Sequence, residues 1–107
     1  MLTNINYNGT HFYSSHYTVI VYYPTQKNRF LPSSILKWQL MMDNCTKTRC
    51  FSILNKNDRS IKYIIDDWLN VSRFTSKVYE LFPETRIDVY DRVLPSFTYK
   101  KHIKIRI

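Results

Sequence analysis

Apolar residues recur along this chain in two rhythms. Over residues 17–23 they run almost unbroken as Tyr17, Val19, Ile20, Val21, Tyr22 and Tyr23, and Pro24 stops the run. A β-branched and aromatic run of this kind predicts a buried central strand, and proline ends it because it cannot donate to a ladder. Pro32, Ser33 and Ser34 open the next element. Proline suits a first helical turn, and either serine can cap it. Ile35, Trp38 and Met42, together with Leu36 and Leu40, then fall at helical spacing and give a wide apolar face, with Asp43 and Asn44 as the stop. Residues 49–54 read as a second strand, and residues 55–58 as a turn in which Asn57 or Asp58 caps a second helix.

That second helix has the clearest period in the chain. Ile61, Ile64, Ile65, Trp68 and Leu69 fall at i, i+3, i+4, i+7 and i+8, which predicts an amphipathic helix over 61–69. Asn70, Val71 and Ser72 read as its break, and Phe74, Val78 and Leu81 continue the spacing up to Pro83. Residues 86–90 alternate as a half-buried strand. Residues 97–107 alternate more strictly, with Ile103, Ile105 and Ile107 on one side and His102, Lys104 and Arg106 on the other. Residues 1–15 have no clear period and read as a loop or weak edge strand. The resulting order, β-α-β-α-β-β, predicts an α+β single domain of the ferredoxin-like or thioredoxin-like sandwich type. Residues 1–16 are expected to form a loosely structured N-terminal segment and 17–107 the domain.

Composition narrows the class. A length of 107 residues fits one domain. An apolar share of 44% with 16% aromatics excludes a disordered chain, and a single glycine excludes collagen-like or Gly-rich linker chains. The residues around the N-terminus carry neither a basic region nor an apolar core, and the longest apolar run covers only residues 19–23. An intracellular protein, cytoplasmic or organellar, with no membrane span is therefore expected, and the sequons at Asn8, Asn44 and Asn70 read as chance matches. Abundant Ile, Lys, Asn and Tyr, all with AT-rich codons, suggest a gene from an AT-biased viral, plasmid or organellar genome.

Charge changes the picture most. Sixteen Lys and Arg against eight acids give a formal net charge of +8, and the isoelectric point is about 9.6. Such a surplus attracts polyanions, nucleic acid (RNA or DNA) first among them. No acid occurs before Asp43, and none follows Asp91. If Lys104 and Arg106 share one strand face, their Cα atoms lie ~7 Å apart, about the phosphate spacing of one nucleic-acid strand. Lys100 and Lys101 add charge to the same segment, and Phe97 and Tyr99 are placed to stack on bases. The loop residues Arg29, Lys47 and Lys56 complete the expected interface, with Lys27, Arg49 and Arg59 beside them. The same C-terminal pattern also suits an edge strand guarded by lysines. A protein–protein module, such as an assembly subunit or an inhibitor of a host protein, is the alternative, since Tyr, Phe and Trp with Arg are what interface hot spots use.

Catalytic chemistry finds little support in the sequence. Gly9 is the only glycine, so no Gly-rich phosphate loop or Gly-x-Ser-x-Gly elbow exists. Asp66 and Asp67 are adjacent and read as solvated helix charges. Asp88 and Asp91 near Arg86 and Arg92 could form a nuclease-like cluster, but an ion-paired hairpin is the simpler account. His11, His16, Cys45 and Cys50 make a possible zinc set without the tight C-x-x-C knuckle, and free thiols are the expectation. The chain reads as a non-enzyme without cofactor or metal.

Phe51 to Leu54 as a strand, a turn, a basic helix start at Arg59 and Lys62, Pro83, and a strand ending in Arg92 together resemble the thioredoxin-like domain shared by some mitochondrial ribosomal proteins and a respiratory complex I accessory subunit. The resemblance covers under half the chain. It lacks that family's Ser-Ser-x-Gly turn, and its helix-to-Pro segment is longer. It implies a ribonucleoprotein or assembly role.

Overall fold

The apolar run after Ser15 forms β2 (His16–Tyr22), preceded by the short β1 (Ile5–Asn8). Then come α1 (Ile35–Asn44), β3 (Phe51–Asn55), β4 (Ser60–Asp66), α2 (Trp68–Leu81) and β5 (Ile87–Tyr90). This computed structural model describes residues 5–9, 15–24, 31–46 and 50–94. The five strands make one mixed sheet in the order β1-β5-β2-β4-β3. β1 runs parallel to β5, and every other neighbouring pair is antiparallel.

Register shows which residues share a face. Val19 lies opposite Tyr63 on one side and Val89 on the other; Val21 lies opposite Ile61 and Ile87. All of these belong to the buried core, together with Trp38 and Met42 of α1 and Val71, Phe74 and Val78 of α2. Both helices therefore pack on one face of the sheet, in two layers. Ser34 caps α1, its Oγ accepting from the N–H groups of Leu36 and Lys37. The inner pole of α1 is Trp38 and Met42. Leu36 and Leu40 lie on its outer side, 52% and 64% exposed, so the wide apolar face read from the sequence is only half used.

The element order differs from the expected one after residue 59. Residues 60–66 form a strand, β4, rather than a helix. The reason is that β4 lies between β2 and β3, is paired along both edges and buries residues of both faces. Ile61, Tyr63 and Ile65 face the helices, while Ile64 faces the opposite side next to Thr18. A strand apolar on both faces places Ile61, Ile64 and Ile65 at the same spacings as a helical stripe. Trp68 and Leu69, the last members of that stripe, are exposed residues of α2. α2 starts at an Asp67 cap with φ 69° and runs through Asn70, Val71 and Ser72 without a break. The resemblance to the thioredoxin-like domain fails at the same place, because Arg59 and Lys62 flank and enter a strand instead of opening a helix. The expected strand over 97–107 lies outside the described residues.

The sheet edge at β1 is fastened by side chains. Trp68 stands edge-on to Tyr7 at 5.5 Å and tilted to Tyr17 at 5.5 Å. Arg92 Nη1 donates to the Asn8 carbonyl at 3.2 Å and to Asp91 Oδ1 at 2.9 Å. A Cβ on Gly9 would meet Asp91 Cγ at 2.4 Å. The single glycine is thus explained by close approach and not by its backbone angle, which is not in the left-handed region.

Candidate nucleic-acid interface

Of the nine residues expected to contact nucleic acid, Lys56 lies in the described structure. Arg29, Lys47, Phe97, Tyr99, Lys100, Lys101, Lys104 and Arg106 lie outside it. The described residues still show where the chain leads into and out of those segments. Pro24, before residues 25–30, lies just past the C-terminal end of β2, where Tyr22 pairs with Ser60. The β3–β4 turn with Lys56 and Arg59 is at this same end. Cys50, after residues 47–49, precedes Phe51, which pairs with Ile64 toward the opposite end. Leu94, before residues 95–107, is also at that opposite end, its N–H donating to Thr18 Oγ1 at 3.2 Å. β2 spans seven residues, so the two ends are roughly 20 Å apart. The structure brings Lys56 near the start of the 25–30 segment and separates it from the end of the 47–49 segment and the start of the 95–107 segment.

Charge is partitioned just as unevenly. Eight cations (Lys37, Lys56, Arg59, Lys62, Arg73, Lys77, Arg86, Arg92) and all eight acids lie among the described residues, which are therefore formally neutral. The entire surplus of +8 belongs to Lys27, Arg29, Lys47, Arg49, Lys100, Lys101, Lys104 and Arg106. The acids serve the fold. Asp43 Oδ1 accepts from the Tyr63 hydroxyl at 2.6 Å, Asp67 caps α2, and Glu80 pairs with Lys77 at 3.4 Å. Asp88, buried on the face away from the helices, accepts from Asn6 Nδ2 at 3.0 Å, the Tyr22 hydroxyl at 3.2 Å, and Arg86 Nε and Nη2 at 3.3 and 3.0 Å. That carboxylate raises the Arg86 pKa; burial, and then Asp88, raise that of Tyr22. Asp88 with Arg86, and Asp91 with Arg92, form separate ion pairs, and β5 pairs with β1 and β2.

Among the described residues three arginines lie over tyrosine rings. Arg59 lies 4.4 Å from the ring centroid of Tyr23, Arg86 4.5 Å from that of Tyr22, and Arg92 5.4 Å from that of Tyr90. Sequence reading gave Arg59 only a supporting place. The turn at 55–58 was legible, but nothing in the sequence tells that the residue after it reaches back to a ring 36 positions earlier.

The centre of the sheet face away from the helices holds Ile20 and Ile64, 5% and 7% exposed. This face is not an exposed aromatic platform of the kind that stacks bases on central strands. Of the possible zinc set, His11 lies outside the described residues and His16 is exposed at the start of β2 opposite Asp66. Cys45 is buried, its thiol donating to the Met41 carbonyl at 3.4 Å, and both cysteines are free thiols whose pKa values burial raises. Among the described residues no three potential ligands come together to hold a metal ion, and no helix is long and apolar enough to cross a membrane. No protein family, curated protein or solved structure matches the chain.

Proposed function

We propose that this protein binds nucleic acid without acting on it chemically. Its sheet and helices would serve as a neutral scaffold for basic segments that contact phosphates. The observation that carries this reading is the partition of charge. Asp43, Asp58, Asp66, Asp67, Glu80, Asp88 and Asp91 are each held by a hydrogen bond or ion pair of the fold, while the whole surplus of +8 sits in three segments without a single acid. Such segments raise the local concentration of a polyanion without opposing charges beside them. We also read the scaffold as ferredoxin-like. Leaving β1 aside, the remaining elements run in the order β-α-β-β-α-β, with an antiparallel sheet β5-β2-β4-β3 and both helices on one face. That scaffold hosts many functions, so it adds nothing by itself to the choice of ligand.

Fluorescence anisotropy with labelled single- and double-stranded DNA and RNA across a salt series tests the reading. Micromolar or tighter affinity near physiological salt is expected, falling steeply as salt rises. Replacing Lys104 and Arg106 together by Ala is expected to reduce the log–log salt slope by ~1–2. An unchanged slope would remove those two residues from the interface, and absence of binding at low salt would end the proposal. The second reading, a protein–protein module, is favoured by one observation, the leucine pair on the outer side of α1. Capture of a protein partner that survives nuclease treatment and is lost in Leu36→Ser/Leu40→Ser would favour it.

A further inference from the structure

We propose that the β3–β4 turn carries a phosphate-binding fork. The Arg59 guanidinium, held over the Tyr23 ring, would take a backbone phosphate of a nucleic-acid strand, with Lys56 of the same turn as a second cation. This rests on the nucleic-acid reading above and names a contact within the neutral scaffold.

A comparison of the three Arg–Tyr stacks carries the argument. Arg86 and Arg92 stack on Tyr22 and Tyr90, but each is tied to a carboxylate, Asp88 at 3.0 Å and Asp91 at 2.9 Å. Arg59 makes the closest stack of the three and has no carboxylate partner among the described residues. The acid of its own turn, Asp58, is directed to Asn55, whose Nδ2 donates to Asp58 Oδ2 at 3.0 Å. Arg59, Lys56 and Asp58 are all exposed, and the turn keeps a net positive charge. A guanidinium held over a ring keeps its planar fork of N–H donors, the geometry that meets two phosphate oxygens at once.

The platform under Arg59 is fixed on every side. The Tyr23 N–H donates to the Arg59 carbonyl at 2.8 Å, so the two residues are joined through backbone as well as through the stack. The Tyr23 hydroxyl donates to the Pro32 carbonyl, and its ring stands edge-on to the buried Trp38 at 5.1 Å. The Asn55 side chain accepts from the N–H groups of Asn57 and Asp58 at 3.0 and 3.1 Å, which sets the turn itself. A cation held this way loses little freedom on binding. The backbone adds an independent sign. Arg59 has φ 54°, in the left-handed region that a hairpin turn ordinarily fills with Gly or Asn. An arginine kept at a strained position is the kind of outlier that points to a functional demand.

That strain makes the proposal testable with a variant that should fold well. Arg59→Gly suits the backbone better, so its melting temperature is expected to equal or exceed that of the parent. Its affinity for a (dT)12 oligonucleotide is expected to fall roughly 3–10-fold near 0.1 M salt, with a salt slope smaller by about one. Arg59→Lys keeps the charge without the planar fork and is expected to fall between the two. Titrations with (dT)12 and with pyrophosphate, followed through the Arg59 Nε–H and Tyr23 ring NMR signals, separate the alternatives. Equal affinity and slope in parent and Arg59→Gly would overturn the fork and leave the nucleic-acid reading standing. If the parent binds no oligonucleotide but pyrophosphate shifts both signals, and Arg59→Gly abolishes the shift, the fork holds and its polymeric ligand is overturned. Silence to both ligands overturns fork and reading together.

Discussion

Tyr63 ties the two layers together through a single hydroxyl. It lies on the helix-facing side of β4, packs against Phe74 at 4.8 Å between ring centroids, and donates to Asp43 Oδ1 of α1 at 2.6 Å. Burial first, and then the neighbouring carboxylate of Asp43, push its pKa far above the ordinary tyrosine range. The folded protein thus holds this proton while the unfolded chain releases it near pH 10. The stability it contributes is complete below that pH and declines as pH rises above it. Tyr63→Phe is expected to cost ~1–2 kcal/mol at neutral pH, because Asp43 loses a buried donor. Above pH 10 its unfolding free energy should fall less steeply than the parent's, by about 1.4 kcal/mol per pH unit for the one proton removed. Urea unfolding at several pH values between 7 and 11 checks both, and parallel alkaline slopes would rule out the Tyr63 proton as their source. Neither Tyr63 with Asp43 nor Arg59 with Tyr23 was legible as a pair, because each joins residues whose approach depends on the sheet register.

At the scale of elements, local chemistry was read well where one signal acted alone. The apolar run before Pro24 became β2, and the serines after Pro32 became the cap of α1. The structure chooses Ser34 over Ser33, since its Oγ accepts from the Leu36 and Lys37 N–H groups at 3.2 and 3.4 Å. Ser34→Ala is expected to lower stability by about 1 kcal/mol, while Ser33→Ala leaves it within about 0.5 kcal/mol. Thermal melts of the two variants decide this, and equal losses would count against the Ser34 cap. Reading failed at 60–66, where two signals conflicted. The period of Ile61, Ile64 and Ile65 suggested a helix, whereas the β-branched and aromatic content favoured a strand. Position in the sheet resolved the conflict. Ile61, Tyr63 and Ile65 meet the helices while Ile64 is buried on the other face, and centrality is a property of the whole sheet and not of the segment.

For the whole molecule, the sign and size of the charge were legible, but its partition was not, because the acids could be assigned to structural roles only once their partners were known. The same topology separates the beginnings of the basic segments. Lys56 sits at one end of the sheet, whereas Cys50, the residue just after the 47–49 segment, sits toward the other. A strand length between them exceeds the Debye length of ~8–10 Å. Lys47→Ala and Lys56→Ala are therefore expected to weaken nucleic-acid binding additively, within ~0.3–0.5 kcal/mol. Anisotropy on the two single variants and the double variant measures this, and a larger coupling energy would mean that the two cations share one site.

The order in which the sheet can be assembled is set by its strand order. β5 (Ile87–Tyr90) lies between β1 and β2, the two strands nearest the N-terminus. During synthesis the ribosome delivers β2, β3 and β4 before β5, and these can pair as they emerge. Among the described residues β1 pairs with β5 alone, and that pairing must wait until residue 90 has left the exit tunnel. Until then the side of β2 that β5 takes also lacks its neighbour, so the nascent chain carries an open strand edge. Of the described strands, the last one made joins the two earliest, and closure of this sheet waits for it.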